Sequence, residues 1–327
     1  MQPITRTRLV LMLHSVPHLG PRGIARVLSE VSEIKTETLD PDELRFWRSS
    51  AAVLREEYKF HPEAADCLSL EKPRLMAVGA ELARAVDAMK IRVITSIDAD
   101  YPSALLDDDR NPPPVLYAHG NLGLLRDRKY AVLGSANVGP EGLEIIREFS
   151  GILSDEGLAA VTSHNTDAYQ VAGVAAKSRN AAIAVILDRG LMSAFPRGLQ
   201  WEPVPQARIW DLRFDPERDL ALSAFRLYDP WIGANARERD RMVFALADVV
   251  VAVEVRAGGV MERECARANV AGREVYVYAP DKMRPEGGNS SLIGRGCTPI
   301  PGSDAASLLR TLDILHEPVG GIFEENE

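Results

Sequence analysis

The chain has 327 residues, enough for two average domains, and a hydrophobic fraction of 46% with a charged fraction of 26% lets each bury a core. A formal net charge of -9 argues against a surface that is basic throughout, as a nucleic-acid binder would favour, but leaves room for a local basic groove. The three cysteines (Cys67, Cys265 and Cys297) have neither CxxC nor Cys/His zinc spacing, so reduced thiols in a cytoplasmic protein without metal or cofactor are expected.

The first apolar stretch runs from Leu9 to Val16 and contains His14. It is too short for a membrane span, which takes roughly 20 apolar residues, and it lacks the small-residue cleavage site of a signal peptide. Leu9, Leu11, Leu13 and Val16 lead into the turn Pro17-His18-Leu19-Gly20-Pro21-Arg22-Gly23, after which Ile24, Val27 and Leu28 recur at helical spacing. Pro62 and Pro73 punctuate later helices, and Met76 to Met89 reads as an Ala-rich helix with Val78, Leu82, Ala85 and Val86 on one side. No strand-like run competes here, so residues 1–90 are expected to form a small helical domain.

Ile91-Arg92-Val93-Ile94-Thr95 is the first β-branched run, and strands and helices alternate from there. Tyr130 to Leu133 predicts a strand, Pro140 to Asp155 a helix, Ala159 to Ser163 a strand, and a helix follows through Ala176. Strands are expected again at Ala181–Leu187, Val249–Val253 and Glu274–Tyr278, with a helix over Met261–Ala271. Continuous apolar runs separated by helices are the mark of a parallel sheet covered on both faces. The expected fold class is therefore α/β, a Rossmann-like, doubly wound, mostly parallel sheet over residues 91–300, preceded by the helical domain. Residues 301–327 predict one helix and an acidic, disordered tail.

Ligands of open parallel sheets bind beyond the carboxyl ends of the strands, and four such ends carry informative residues. Gly134-Ser135-Ala136-Asn137-Val138-Gly139 joins a strand to a helix, where backbone N–H groups and the helix dipole suit phosphate. It is not a G-x-G-x-x-G fingerprint, and a plain turn of small residues reads equally well. Thr162-Ser163-His164-Asn165-Thr166-Asp167 holds Ser, His and Asp, yet adjacent side chains diverge and no G-x-S-x-G elbow surrounds them, so a helix N-cap is preferred over a triad. Arg237-Glu238-Arg239-Asp240-Arg241 opens a helix and is either a solvated face or a source of bidentate phosphate contacts. Glu254, followed by Ala257-Gly258-Gly259, could orient a ribose or pair with an arginine.

The order of these segments resembles the DprA/Smf family of DNA-processing proteins over roughly residues 8–300. Tyr101-Pro102-Ser103-Ala104-Leu105, Pro112-Pro113-Pro114-Val115-Leu116-Tyr117 and Gly120-Asn121-Leu122 look like its Y-P-x-x-L, P-P-x-L-Y and G-N lead-in. Ala131-Val132-Leu133-Gly134-Ser135 is similar to V-V-G-S-R, with Ala136 in place of the arginine. Arg239 to Val243 resembles R-N-R-I-I, Val251 to Glu254 the strand V-V-V-E, and Gly272 to Tyr276 G-R-x-V-F. Gly288-Asn289-Ser290-Ser291-Leu292-Ile293 with Gly296 resembles the G-x-N-x-L-I-x-x-G-A ending, and Leu19 to Ile24 a helix-hairpin turn. The departures fall where a phosphate backbone would touch. The family's S-G-x-A-x-G-I-D-x-x-A-H segment is reduced to Ser163 to Asp167, with Gly173 at the family's spacing and Val171 in place of His, and its S-G-S turn has become Ala257-Gly258-Gly259.

The resemblance implies a non-catalytic protein that binds single-stranded DNA and helps to load a RecA-type recombinase during DNA uptake and transformation, as a homodimer away from membranes. The residues it would use are Gly134, Ser135, Asn137, Ser163, Asp167, Arg237, Arg239, Arg241, Glu254, Gly258, Gly259 and Asn289. Two alternatives stay open. One is a nucleotide sensor or a hydrolase like the lysine-decarboxylase-like phosphoribohydrolases, whose P-G-G-x-G-T-x-x-E turn is only partly matched at Ala257 to Glu262; the other is a degenerate paralogue acting through protein contacts.

Overall fold

The computed structural model describes residues 3–34, 36, 38–108, 111–199, 201, 203–204, 207, 212–281 and 286–312. The chain opens with β1 (Ile4–Thr5), α1 (Arg6–His14), α2 (Pro21–Val31), β2 (Thr38–Leu39), α3 (Arg45–Arg48), α4 (Ala51–Glu56), α5 (Pro62–Leu70) and α6 (Lys72–Ala88). Next come β3 (Arg92–Thr95), α7 (Ser103–Asp108), β4 (Val115–Gly120), β5 (Lys129–Leu133), α8 (Pro140–Asp155), β6 (Ala159–Thr162), α9 (Asp167–Ser178), β7 (Ile183–Leu187) and α10 (Leu191–Ala194). The last elements are β8 (Leu220–Ser223), α11 (Asn235–Leu246), β9 (Val249–Ala252), α12 (Val260–Val270), β10 (Glu274–Tyr278), α13 (Gly288–Gly294), β11 (Thr298–Ile300) and α14 (Ala305–Thr311). No helix among the described residues is long and apolar enough to cross a membrane. The acidic tail lies outside the described residues.

Nine strands form a mostly parallel sheet in the order β11-β10-β9-β5-β6-β7-β8-β4-β3, which is the expected α/β class. Tertiary contacts divide the chain into two units. One comprises Met1–Arg126, Val185–Pro203 and Phe214–Leu246, the other Asp127–Ala184, Val204–Arg213 and Ala247–Glu327.

The first unit holds the N-terminal helices. Five consecutive residues of α1, Leu9 to Leu13, are buried, so this helix is a core element without a polar face. Gly79 lets α6 approach it closely, because a Cβ there would lie 2.9 Å from the Met12 Cβ. In α2, Gly23, Ile24, Val27, Leu28 and Val31 are buried at helical spacing and the remaining face meets solvent. A small antiparallel pair, Ile4 opposite Leu39 and Thr5 opposite Thr38, also lies in this stretch, which the sequence reads as wholly helical. Two-residue strands carry too few positions for a period-two pattern. The strands β3, β4 and β8 pair antiparallel, with Thr95 opposite Val115 and Tyr117 opposite Ser223.

The second unit carries the parallel strands. Its order is β11-β10-β9-β5-β6, and each neighbouring pair in it runs parallel. Every residue of β5 and of β9 is buried, as strands covered on both faces require. β6 flanks β5 on one side and β9 on the other, so the chain leaves β5 in one direction and later returns to its opposite side. That reversal is a topological switch point, and the carboxyl ends of β5 and β9 there are the usual ligand position in such sheets.

Candidate nucleic-acid interface

The loops that follow β5 and β9 are joined by backbone bonds. Val253 N–H donates to Leu133 O (2.9 Å), Ser135 N–H to Glu254 O (2.8 Å), and Arg256 N–H to the Ser135 Oγ (2.8 Å). Asn289, at the start of α13, fixes the same loop from below. Its Oδ1 accepts from Val255 N–H (2.8 Å), while its Nδ2 donates to Val253 O (2.6 Å) and Tyr278 O (2.8 Å). One amide side chain thus ties the end of β9 to the end of β10. Gly134, Ser135, Asn137, Glu254, Gly258, Gly259 and Asn289, scattered over 156 positions of the sequence from 134 to 289, assemble at this edge.

Glu254 decides the electrostatics. Its carboxylate Oε2 accepts from Gly139 N–H at 3.0 Å, and Gly139 is the N-cap of α8 with no side-chain cap of its own. The anion position at the α8 N-terminus is therefore taken by the protein's own carboxylate, where the helix dipole favours negative charge. Gly142 makes room for it, since a Cβ there would lie 2.5 Å from the same oxygen. Gly258 has φ +68, a left-handed turn that glycine adopts without strain. Its N–H donates to Glu262 Oε2 (2.5 Å), and the Ser291 hydroxyl donates to Glu262 Oε1 (2.5 Å). The Ser291 hydrogen bond first, with the Gly258 N–H and the nearby Arg295 and Arg263 charges adding to it, holds the Glu262 carboxyl below its ordinary pKa. The turn is thus clamped to α12 and α13 by a buried anion that sequence reading did not single out.

What this edge offers a ligand is Asn137, exposed, Ser135, half-buried, and the exposed side chains of Arg256 and Arg263. Sequence reading passed over both arginines. Arg256 lies between Glu254 and Gly258 on the loop after β9, and that position was the available signal. Arg263 donates from Nη1 to Gly258 O (2.8 Å), a contact set by the turn.

The loop after β6 is less open. Ser163 and His164 are both buried. Thr166 is the N-cap of α9, its hydroxyl accepting from Tyr169 N–H, and Asp167 is exposed in the first turn.

The arginines of α11 belong to the first unit. Arg239 is 2% exposed and pairs through Nε with the buried Asp240 Oδ1 at 2.8 Å, so its guanidinium is enclosed by the protein. Arg237 is exposed, and the half-buried Arg241 lies 3.5 Å from Glu238. Burial splits a cluster that looks uniform in sequence.

Among the described residues, His18, His61 and Glu63 are a possible metal-ligating trio, with ligand atoms within 4.8 Å of one another. All three are exposed, His18 Nε2 lies 2.8 Å from Glu63 Oε2, and the imidazole rings stack at 4.8 Å, so the group is accounted for as a surface polar contact with a stacked neighbour. Sequence spacing hides it because 43 positions separate the two histidines.

Residues 92–313 match the family model for DNA recombination-mediator protein A. The fold is similar to DNA processing protein A from Streptococcus pneumoniae, with TM-score 0.68, 19% identity, and coverage of 94% of this chain and 98% of that one. It is also similar to DNA processing protein A from Helicobacter pylori, a protein described for its single-stranded DNA binding mode, with TM-score 0.55, 18% identity, and coverage of 69% and 97%. No curated protein matches the chain.

Proposed function

The chain belongs to the family of DNA recombination-mediator protein A, and on that premise we propose that it binds single-stranded DNA without doing chemistry on it. On this reading it shields the strand and helps to load a RecA-type recombinase, acting as a homodimer. The observation that carries the reading is the switch in strand order at β5 and β9, where Ser135, Asn137 and Arg256 present hydroxyl, amide and guanidinium groups at the ligand position of a doubly wound sheet. Such groups hold phosphate and sugar without reading sequence. Because Glu254 fills the α8 N-terminus, contact with the strand falls to these side chains rather than to the helix start.

Fluorescence anisotropy of a labelled poly-dT oligonucleotide over a salt titration tests the reading, with Arg256→Ala beside the wild type. Expected is micromolar or tighter binding that weakens as salt rises and that the substitution lowers severalfold. Absence of binding even at low salt sinks it. The carboxylate at the α8 start favours one second reading, a paralogue that acts through protein contacts, and that outcome would support it.

A further inference from the structure

A groove of about 950 Å³ lies wholly within the first unit, between the α1–α2 turn, the segment before α5, and the start of α11. Arg22, Arg26, Lys59 and Arg241 line it, against Glu238 as the acidic residue of the lining. This concentration of cations stands out in a chain whose formal net charge is -9.

The placement of two of these charges works against the helix that bears them. Arg22 sits in the first turn of α2, where the macrodipole disfavours a cation, and that turn holds no acidic residue. Arg26, one turn on, shares its face, and like charges four apart repel. Both are exposed, and neither is ion-paired among the described residues. Arg26 donates from Nη1 to Tyr58 O (2.7 Å), which fixes its direction without neutralising it. Lys59 is exposed at φ +54, an uncommon conformation for a residue with a Cβ. Local rules broken together in one place are expected at a functional site, where a ligand offsets the cost.

The loop after β8 lines the same groove at Ala224, Phe225 and Ala234, and between these positions it exposes Tyr228 (61%), Trp231 (53%) and Ile232 (53%). Its first half is firmly held. Arg226 donates from Nη2 to Leu19 O (3.1 Å) in the α1–α2 turn, Asp229 O accepts from Gly190 N–H (2.9 Å), and Leu227 O from Met192 N–H (2.9 Å). Tyr228 is thus exposed on the anchored half of a loop that lines a cationic groove, and Trp231 follows three residues on, before the loop meets the groove again at Ala234. That pairing of stacking surfaces with a backbone-tracking charge is how proteins hold unpaired nucleic acid without sequence preference.

We propose that a single strand of nucleic acid runs through this groove, its phosphates held by Arg22, Arg26, Lys59 and Arg241 and its bases stacked on Tyr228 and Trp231. The inference rests on the DNA-binding reading above and adds a second contact surface in the other unit.

Poly-dT anisotropy with the full chain tests it, comparing the wild type with the double variant Arg22→Glu/Arg26→Glu and with Trp231→Ala, each checked for fold by circular dichroism and thermal melting. The double variant is expected to lose about tenfold or more in affinity, and its slope of log K against log salt should flatten by about 1.4, two single-strand phosphate contacts. Trp231→Ala is expected to lose about fivefold, together with much of the quenching of tryptophan fluorescence that the strand produces in the wild type. A folded double variant with wild-type affinity and slope would overturn the inference and leave the DNA-binding reading standing. A wild type that binds no poly-dT would remove that reading, and the inference with it. Quenching unchanged in Trp231→Ala would overturn the stacking surface.

Discussion

At the edge beyond β5 and β9, three of the features that could attract phosphate have internal partners, which leaves the exposed Asn137, Arg256 and Arg263 side chains to meet a ligand. The α8 N-terminus holds Glu254, the Gly258 N–H holds Glu262, and Asn289 spends three hydrogen bonds on the backbone. In the groove beside α2, by contrast, Arg22 and Arg26 stand without a carboxylate partner among the described residues, Arg22 also against the helix dipole. The first surface is stable by itself. The second is left electrostatically incomplete, which is the condition under which an anion gains most by binding. Position in a fold and fitness for a ligand are thus separable, and here they point to different units.

Four changes put that contrast to the test. The largest effect is expected from Arg239→Ala, which removes a buried cation from its ion pair with the buried Asp240 and should cost about 3–5 kcal/mol in denaturant unfolding. Affinity for poly-dT should hold in the folded fraction; lost affinity with intact stability would instead put Arg239 among the contacts. Asn289→Ala removes three hydrogen bonds from the β9 loop and should cost about 2–3 kcal/mol. Faster amide exchange at Val255 would report it, and the effect should stay in the second unit.

Acid probes the first unit. Burial, with the Arg226 charge adding to it, lowers the pKa of His14 from 6.5 to about 3. Below pH 6.5 the unfolded chain takes a proton that the folded one refuses, so stability falls as pH drops from 6.5 towards 3. His119 is lowered as well, chiefly by burial, and adds to the loss in the same direction. Urea unfolding across that window should show a decline on the order of 2–4 kcal/mol for the His14 contribution, flattened in His14→Gln. A parallel decline in the variant would refute the assignment to His14. The smallest effect belongs to Glu254→Gln, which keeps an acceptor for Gly139 N–H and removes the charge. If the edge takes phosphate, poly-dT affinity should rise severalfold at low salt; unchanged affinity would count against that edge.

Much of the second unit was legible from apolar runs. The helix expected over Pro140–Asp155 and the strand over Glu274–Tyr278 match α8 and β10, because buried parallel strands are continuous apolar segments and amphipathic helices keep their period. The β1–β2 pair and the short strand β8 were not, since two to four residues hold too little pattern. Of the candidate contacts, Ser135 and Asn137 were visible as a small-residue strand-to-helix turn. Arg256 was overlooked beside Glu254, and the arginines of α11 looked alike although Arg239 is enclosed and Arg237 exposed.

The α/β class, the order of helices and strands in the parallel region and the family resemblance are legible without coordinates, because they are written in local periodicity and in motifs whose residues lie next to one another. Which charges are already satisfied emerges from the packed chain alone. The Glu254 carboxylate meets Gly139 across 115 positions of sequence, and Arg22 and Arg241 line one groove from helices far apart in the chain. Electrostatic balance depends on distance in space and on exclusion of water, and neither quantity has a period along the chain.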